Sequence, residues 1–434
     1  MCGVPGPGRV TCESGAVSRL LVRPSGPLHG DVTVSGAKNS ALKLMAACLL
    51  AEGRSVLRGV PDIADVSIMG RLLGAIGADV CRREDGAIEI VRGPDVIPEA
   101  PYELVEQMRA STAVLGPLLA TVGEARVALP GGDDFGSRPI DMHLTSLEAL
   151  GVGFELHHGI IEARASRLVG AEVVLDYPSN GATENLLMAG VLAEGTTTVR
   201  NAAREPEIAD LAAFLNRMGA RVLGAGSPTI VIEGVAELRA VEHTVIPDRI
   251  EAATFLCAAA AATGEVSVHG ARADQMDLFI EKLGRMGVRI SPEVDGLWAM
   301  ASERPRPVSV ATLPYPGIAT DFLPLMVAVM SLADGTSYAT ENVYAGRFRY
   351  VGELARMGAQ IKVEGHHLVV DGVERLSGAP VQAVDIRAGA AMVIAALGAD
   401  GETTIHHAGH IDRGYEQFVE KLTALGADII RFDD

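Results

Sequence analysis

The sequence predicts an α/β protein made of six copies of one unit, in which sheets wrap around buried helices. Two interleaved glycine series, and a contrast between two kinds of helix, point to it. In one series, apolar runs close on Gly53, Gly123, Gly195, Gly264, Gly335 and Gly401. In the other, LGAIGADV, LEALGVGF, LNRMGARV, LGRMGVRI, LARMGAQI and LTALGADI carry Gly77, Gly151, Gly219, Gly287, Gly358 and Gly426, at intervals of 74, 68, 68, 71 and 68 residues. The shared register makes each unit two helices and the strands that follow them.

The first helix of a unit is apolar nearly all round, as in ALKLMAACLLAEG, EAATFLCAAAAATG and AGAAMVIAALGADG, the pattern of a helix enclosed by its own domain. The second is amphipathic, as in PEIADLAAFLNRMG and GYEQFVEKLTALG, and suits a surface layer. A glycine just past a periodic apolar stretch stops the helix, because the left-handed turn there suits a residue without a β-carbon. Segments such as VRISP, QIKVEG and ADIIRF then alternate or branch like strands.

At 434 residues the chain exceeds the size at which one core stops growing, and two domains of three units each is the simplest division. Apolar content of 48% with only 4% aromatic residues means cores of small Ala, Val and Leu side chains. With 37 basic and 55 acidic residues the net charge is −18, which argues against nucleic-acid or anionic-membrane partners, since these need a basic face. Cys2, Cys12, Cys48, Cys81 and Cys257 show no metal-ligand spacing, so a reducing, cytoplasmic setting is expected. Residues 1–17, rich in turn formers and without an apolar stretch, are expected to be a disordered tail and not a signal peptide. ATFLCAAAAAT and FLPLMVAVMSLA reach about half to two-thirds of the length of a bilayer crossing and are expected to be buried helices.

Counting back fourteen or fifteen residues from each glycine of the first series lands on Lys38 and Asn39, Arg109, Asn180, Arg249, Asp321 and Arg387. A helix N-terminus is partially positive, so a cation there costs a few tenths of a kcal/mol or more. Lys38, Arg109, Arg249 and Arg387 sit near such starts, and Arg138, Arg347 and Arg413 are expected to open helices of the second kind. Local pairing of Arg249 with Asp248, and of Arg413 with Asp412, is as good a reading for those two. For all seven together a strongly anionic ligand is expected. Three polar clusters interrupt the apolar pattern: SGAKNS at 35–40, PGGDDFGSRPIDMH at 130–143 and TDF at 320–322. The second has the composition of a mobile loop that closes over something, or, at Asp133 and Asp134, of a solvated tip. Asp321, taken alone, reads as a helix cap. His366, His367, His406, His407 and His410 fall in a hairpin and a turn, and no metal or other cofactor is expected.

SGAKN, LPGGD with GSRPIDMH, NAAREPEI, PDRIEA, the TD pair, ENVYAGRF and HIDRGYE, in that order, resemble the UDP-N-acetylglucosamine 1-carboxyvinyltransferases from about Gly26 to the C-terminus. The resemblance implies a two-domain inside-out α/β barrel, with three repeats per domain. One domain would comprise residues 18–37 plus 246–434, the other residues 38–245 with the mobile loop. It implies transfer of the enolpyruvyl group of phosphoenolpyruvate to the 3′-hydroxyl of UDP-N-acetylglucosamine with release of phosphate, the first committed step of peptidoglycan synthesis. Lys38, Arg138 and Arg413 would face the phosphate, and Arg347 and Arg387 the carboxylate or the closing interface. Asn39, Arg109, Arg138, Pro139, Ile140, Asp141, Met142, Tyr177, Pro178, Ser179, Asn180, Asp321 and Val343 would contact the sugar nucleotide. Asp321 would be the base. The acid position, usually cysteine in this family, is Asp133 here, so insensitivity to fosfomycin is expected, and Tyr177 stands where many relatives have lysine. Two other readings remain beside it: an enolpyruvyl transferase acting on another acceptor such as shikimate 3-phosphate, and a silent relative that senses phosphoenolpyruvate or the sugar nucleotide.

Overall fold

The computed structural model describes residues 18–131 and 140–433. The expected tail and four candidate site residues, Asp133, Asp134, Arg138 and Pro139, lie outside the described residues.

The first-series runs form inner helices. Arg249–Ala261, Leu323–Met330 and Ile386–Leu397 are buried along their whole length and pack against one another. Helix Asn180–Gly190 packs in the same way on Leu115–Thr121 and the preceding turn Arg109–Val114, which in turn touches Lys38–Ala47. Their Ala-rich sequences let backbones approach closely, and each fully buried Leu or Val contributes about 1.5–3 kcal/mol. The second-series runs form outer helices that bury one face only, such as Pro206–Met218 and Phe418–Ala424. Pro206–Met218 stops on Gly219 at φ 111°, a conformation that favours glycine.

Among the described residues the strands build six four-stranded sheets to one plan, plus a two-stranded ribbon. The strand after an inner helix pairs parallel with an edge strand and antiparallel with the last strand of its unit. Thr336–Thr340, for example, lies between Ser309–Ala311 and His367–Asp371, and the latter pairs with Gln360–Glu364. Three sheets are completed from a distance. Ser18–Arg23 lies between Thr403–His406 and Asp428–Asp433, and His29–Thr33 pairs parallel with Glu265–His269. Glu242–Thr244 pairs with Gly53–Arg58 and closes the other ring of sheets.

The buried apolar side chains form two clusters. One draws on residues between Leu20 and Val34 and between Ile250 and Ile429, the other on residues between Ala37 and Val245. The chain thus crosses between cores twice, and the crossings lie side by side: Ala37 N–H donates to Ile246 C=O at 2.7 Å and Asp248 N–H to Ser35 C=O at 2.9 Å. A β-carbon at Gly36 would come within 1.9 Å of Gly59 C=O, so only glycine fits this crossing.

Candidate active site

Lys38 is the first residue of its helix, directly after the crossing, and Ala37 provides no side-chain cap. Its ammonium meets Asp65 Oδ2 at 2.7 Å, while Arg413 Nε meets Asp65 Oδ1 at 2.9 Å. Asp65 lies in the first turn of the outer helix Ala64–Ile76 with its side chain only 2% exposed. Here a lysine from one core and an arginine from the other are fixed on one buried carboxylate. Asp65 escaped the sequence analysis. Its signal is a lone acid at a buried position of an otherwise apolar helix face.

A second cluster surrounds Asp321 in the turn Thr320–Phe322. Arg347 Nη1 lies 2.7 Å from one carboxylate oxygen and Arg387 Nε 3.5 Å from the other. Both arginine side chains are 4% exposed, against 24% for Asp321. Burial pushes the Asp321 carboxyl up, but Arg347, Arg387 and Lys38 together outweigh it and hold the group well below the usual carboxylate range. Lys38 thus acts on Asp321 as well as on Asp65, which links the two clusters. Arg387 also lies over the Tyr415 ring, 5.1 Å from its centroid, and among the described residues its buried Nη1 has no hydrogen-bond partner. A buried guanidinium N–H left over in this way suits an anion's oxygen.

Neighbouring groups fix the loops around these charges. Glu341 is buried and accepts from Thr312 Oγ1, Thr320 Oγ1 and Val343 N–H at 2.7 Å each and from Tyr344 N–H at 3.0 Å, so it shapes the segment carrying Val343. Tyr177, from the other half, is half-buried, and its hydroxyl is pushed up to about 12 by burial, with Tyr344, Glu205 and Glu341 adding to the shift. Tyr177 thus lies within electrostatic range of Glu341 and Tyr344, which bracket Val343 in the chain. Pro178 is half-buried, and Ser179 caps its helix by accepting Ala182 N–H at 3.3 Å, leaving Asn180 exposed as the first helical residue.

Asn39 is half-buried beside Lys38. Arg109, half-buried at the start of its turn, acts on His143, whose pKa is pushed down to about 4 by burial first and then by Arg109 and Lys43. His143 Nδ1 lies 2.9 Å from Asn185 Nδ2, and a β-carbon at Gly181 would strike its ring at 2.4 Å. That contact seats the helix Asp141–Glu148 against the start of Asn180–Gly190. Ile140 is buried, Asp141 is exposed and Met142 packs on the core.

Several expectations are corrected. Asp321 makes no cap hydrogen bond, because the ion pairs with Arg347 and Arg387 take its oxygens. Arg413 does not open a helix but ends the short Gly409–Asp412, and Arg347 precedes Arg349–Arg356 by two residues. Arg413 turns to Asp65, while Asp412 takes Arg431 at 2.8 and 2.7 Å. Arg249 pairs with Glu207 at 3.0 Å and not with Asp248, which caps the helix by accepting Ile250 and Glu251 N–H. The Arg387 helix likewise carries its own cap, Asp385. At these two ends an aspartate of the chain, rather than a ligand, takes the unpaired N–H groups, and the long arginine side chains reach elsewhere.

A cavity of about 590 Å³ lies apart from all of this, where first-half inner helices end near Gly123 and Gly195. It contains none of the residues of either charged cluster. Among the described residues no helix is long and apolar enough to cross a membrane, and no group of three or more His, Cys, Asp or Glu is placed to hold a metal.

Two rings of sheets around buried helices, facing each other over clustered lysine and arginine, define the enolpyruvyl transferase class. A profile of EPSP synthase (3-phosphoshikimate 1-carboxyvinyltransferase) matches residues 22–422, and the chain belongs to this family, whose fold is the two-domain inside-out α/β barrel. Within the family, the UDP-N-acetylglucosamine 1-carboxyvinyltransferase of Mycobacterium bovis is 51% identical over 414 residues, covering 95% of this chain and 99% of that protein. The enzyme of the same name from an Anaeromyxobacter species is 51% identical, covering 96% and 99%. Among solved structures, the enolpyruvyl transferase NikO from Streptomyces tendae superposes with a TM-score of 0.87 at 28% identity, covering 96% of this chain and 100% of that one.

Proposed function

We propose that the protein transfers the enolpyruvyl group of phosphoenolpyruvate to the 3′-hydroxyl of UDP-N-acetylglucosamine and releases phosphate, the entry step of peptidoglycan synthesis. The observation that carries this is the meeting of Lys38 and Arg413 on Asp65 opposite Arg347 and Arg387 on Asp321. Identity of about half along nearly the whole length of enzymes with that activity supports it. We assign the division into residues 18–37 plus 246–434 and residues 38–245 to two domains that close over the substrates, in keeping with the two separate apolar clusters. The cytoplasm, where both phosphorylated substrates are available, is the proposed compartment.

In this reaction a proton goes to the methylene carbon of phosphoenolpyruvate, the neighbouring carbon becomes electrophilic, and the 3′-oxygen attacks it while a base takes the hydroxyl proton. Phosphate then leaves as the methyl group formed in the first step gives up a proton, restoring the double bond. Lys38 and Arg413 hold the phosphate, together with Arg138 from the loop, and Arg347 and Arg387 hold the carboxylate. Asp321 is the base. Its depressed pKa keeps it ionised but a weak proton acceptor, and substrate anions that draw charge from Arg347 and Arg387 raise its basicity. Asn39, Arg109, Ile140, Asp141, Met142, Pro178, Asn180 and Val343 line the sugar-nucleotide side, with Tyr177 opposite Tyr344. Ser179 serves it through its cap.

The test is phosphate release with phosphoenolpyruvate and UDP-N-acetylglucosamine, with shikimate 3-phosphate as the comparison acceptor. Turnover on the latter alone would defeat the proposal. Asp65→Asn keeps the shape of the side chain but leaves Lys38 and Arg413 without their shared counter-charge. Its kcat/KM for phosphoenolpyruvate is expected to fall about 100-fold, as the anchoring geometry of two cations is lost. Steady-state kinetics of that variant will show it.

A further inference from the structure

Four side chains meet where the chain crosses between its two cores. Glu251, in the first turn of Arg249–Ala261, accepts the Ser35 N–H at 2.7 Å and the Lys421 ammonium at 2.6 Å. Lys421 also donates to Ser35 Oγ at 2.8 Å. Ser35 Oγ in turn donates to Glu416, whose other oxygen accepts the Asp62 N–H at 3.0 Å. The Glu251 side chain is 3% exposed and that of Lys421 15%. A buried ion pair of this kind is weak as a source of stability but holds groups in one geometry.

Each partner lies a few residues from the phosphate-side cluster. Ser35 precedes Lys38 by three residues, Asp62 precedes Asp65 by three, and Glu416 and Lys421 follow Arg413 by three and eight. The Lys38 N–H itself donates to Asp248 Oδ2 at 3.1 Å, so the same helix start grips the crossing at both Ser35 and Lys38. Thr254, one turn beyond Glu251, meets the Tyr415 hydroxyl at 2.8 Å beneath Arg387. The segment following Arg413 is therefore tied to this helix at two points, Tyr415 and Lys421.

We propose that the Glu251–Lys421 pair is a positioning device for the transfer reaction: it clamps the crossing strand at Ser35 to the Arg413 segment and so aligns Lys38 and Arg413 on the substrate phosphate. This rests on the function proposed above. The charged groups facing Glu251 are Lys421 from the outer helix, Asp248 from the helix cap and Glu416 across Ser35 Oγ. Burial pushes the Glu251 carboxyl up to about 7, with Lys421 and the Ser35 N–H pulling it down and Asp248 adding to the rise. The carboxylate that grips both Ser35 and Lys421 therefore forms as pH rises through neutrality. The stability linkage runs the other way. A carboxyl raised from 4.5 to about 7 on folding favours the folded state below 4.5, and that contribution is lost as pH rises to 7. A merely structural role would make activity follow stability, whereas a positioning role makes the two diverge.

Two measurements on the full chain decide it. Hydrogen exchange of the peptides spanning residues 33–39 needs no substrate, and the pH profile of kcat/KM for phosphoenolpyruvate reads the consequence. Wild-type kcat/KM is expected to rise about 10-fold between pH 6 and 8, with Glu251→Gln lower by ~10- to 100-fold at pH 8 and without the inflection. Lys421→Met, which removes the group that lowers the Glu251 pKa, is expected to move the inflection to higher pH. Both variants should speed exchange at residues 33–39. Unchanged exchange in both variants, or faster exchange with an unaltered pH profile, overturns the proposal. If Glu251→Gln does not fold, Lys421→Met decides alone, since methionine fills the space of the lysine stem. A wild-type protein inactive with both substrates would refute the proposed function, while the exchange result would still decide whether the clamp exists.

Discussion

Asp321→Asn is expected to lower kcat by about 1,000-fold or more, the upper part of the range for removing a general base. Asparagine preserves the shape of the side chain but cannot take the hydroxyl proton. It also leaves Arg347 and Arg387, which approach Asp321 at 2.7 and 3.5 Å, without their shared negative charge. Because Arg347, Arg387 and Lys38 more than offset the effect of burial, Asp321 is ionised throughout the neutral range, and the loss should be the same at every pH there. The stability effect is confined to acid. A carboxyl whose pKa is depressed on folding contributes above its ordinary value of 3.8 and loses that contribution as pH falls, so the variant's stability should depend less on pH in that region. Steady-state phosphate release from pH 6 to 9, with thermal melts carried to lower pH, measures both. An Asp321→Asn enzyme within tenfold of wild type would remove this residue from the base role.

Asp133→Asn is expected to lower kcat by about 100- to 10,000-fold, as for loss of a general acid. The residue lies outside those the structure describes, so the proposal comes from its place after PGG in the sequence, the position at which the resemblance implies cysteine in most relatives. A carboxyl is ionised at neutral pH unless something raises its pKa. A cation close by, such as Arg138, would lower it, and an adjacent acid such as Asp134 or a bound phosphate dianion would raise it, so the general-acid proposal requires the acid form in the substrate complex. Normal turnover of Asp133→Asn together with an inactive Asp134→Asn would reverse the assignment. The same substitution bears on inhibition. Epoxide opening needs a soft thiolate, which aspartate does not provide. Fosfomycin should therefore leave the wild type active and unlabelled, while Asp133→Cys should take one equivalent of the drug, visible as a mass increase of the intact protein.

The repeat was legible because each unit writes its two helices with different periodicity and stops each on glycine. Gly219 at φ 111° and the fully buried Arg249–Ala261 are direct readouts of that pattern. Lys38, Arg347, Arg387, Arg413 and Asp321 were legible for a related reason: a charge at the edge of an apolar run stands out. Their partners did not. Asp65 and Glu341 look like ordinary helix-start and strand-end acids, and only the fold shows that one joins Lys38 to Arg413 and the other ties Thr312 and Thr320 to the Val343 segment. Local sequence suggested neighbours for Arg249 and Arg413 because adjacency is all that a linear chain displays. The structure gave those arginines to Glu207 and Asp65, 42 and 348 residues away, since a guanidinium on a flexible stem reaches whichever carboxylate the packing brings near.

By itself, then, the sequence determined the unit, its sixfold repetition, the division into inner and outer helices, and the identity of the cations, because these depend on short-range periodicity and on the price of burying charge. Only the tertiary structure decided which strands close the rings, that the Ser18–Arg23 strand lies between Thr403–His406 and Asp428–Asp433, and that Glu251, Lys421 and Ser35 meet at the crossing. Those contacts join residues far apart in the chain, and long-range register comes from which faces can bury together, a property that no local window of sequence contains.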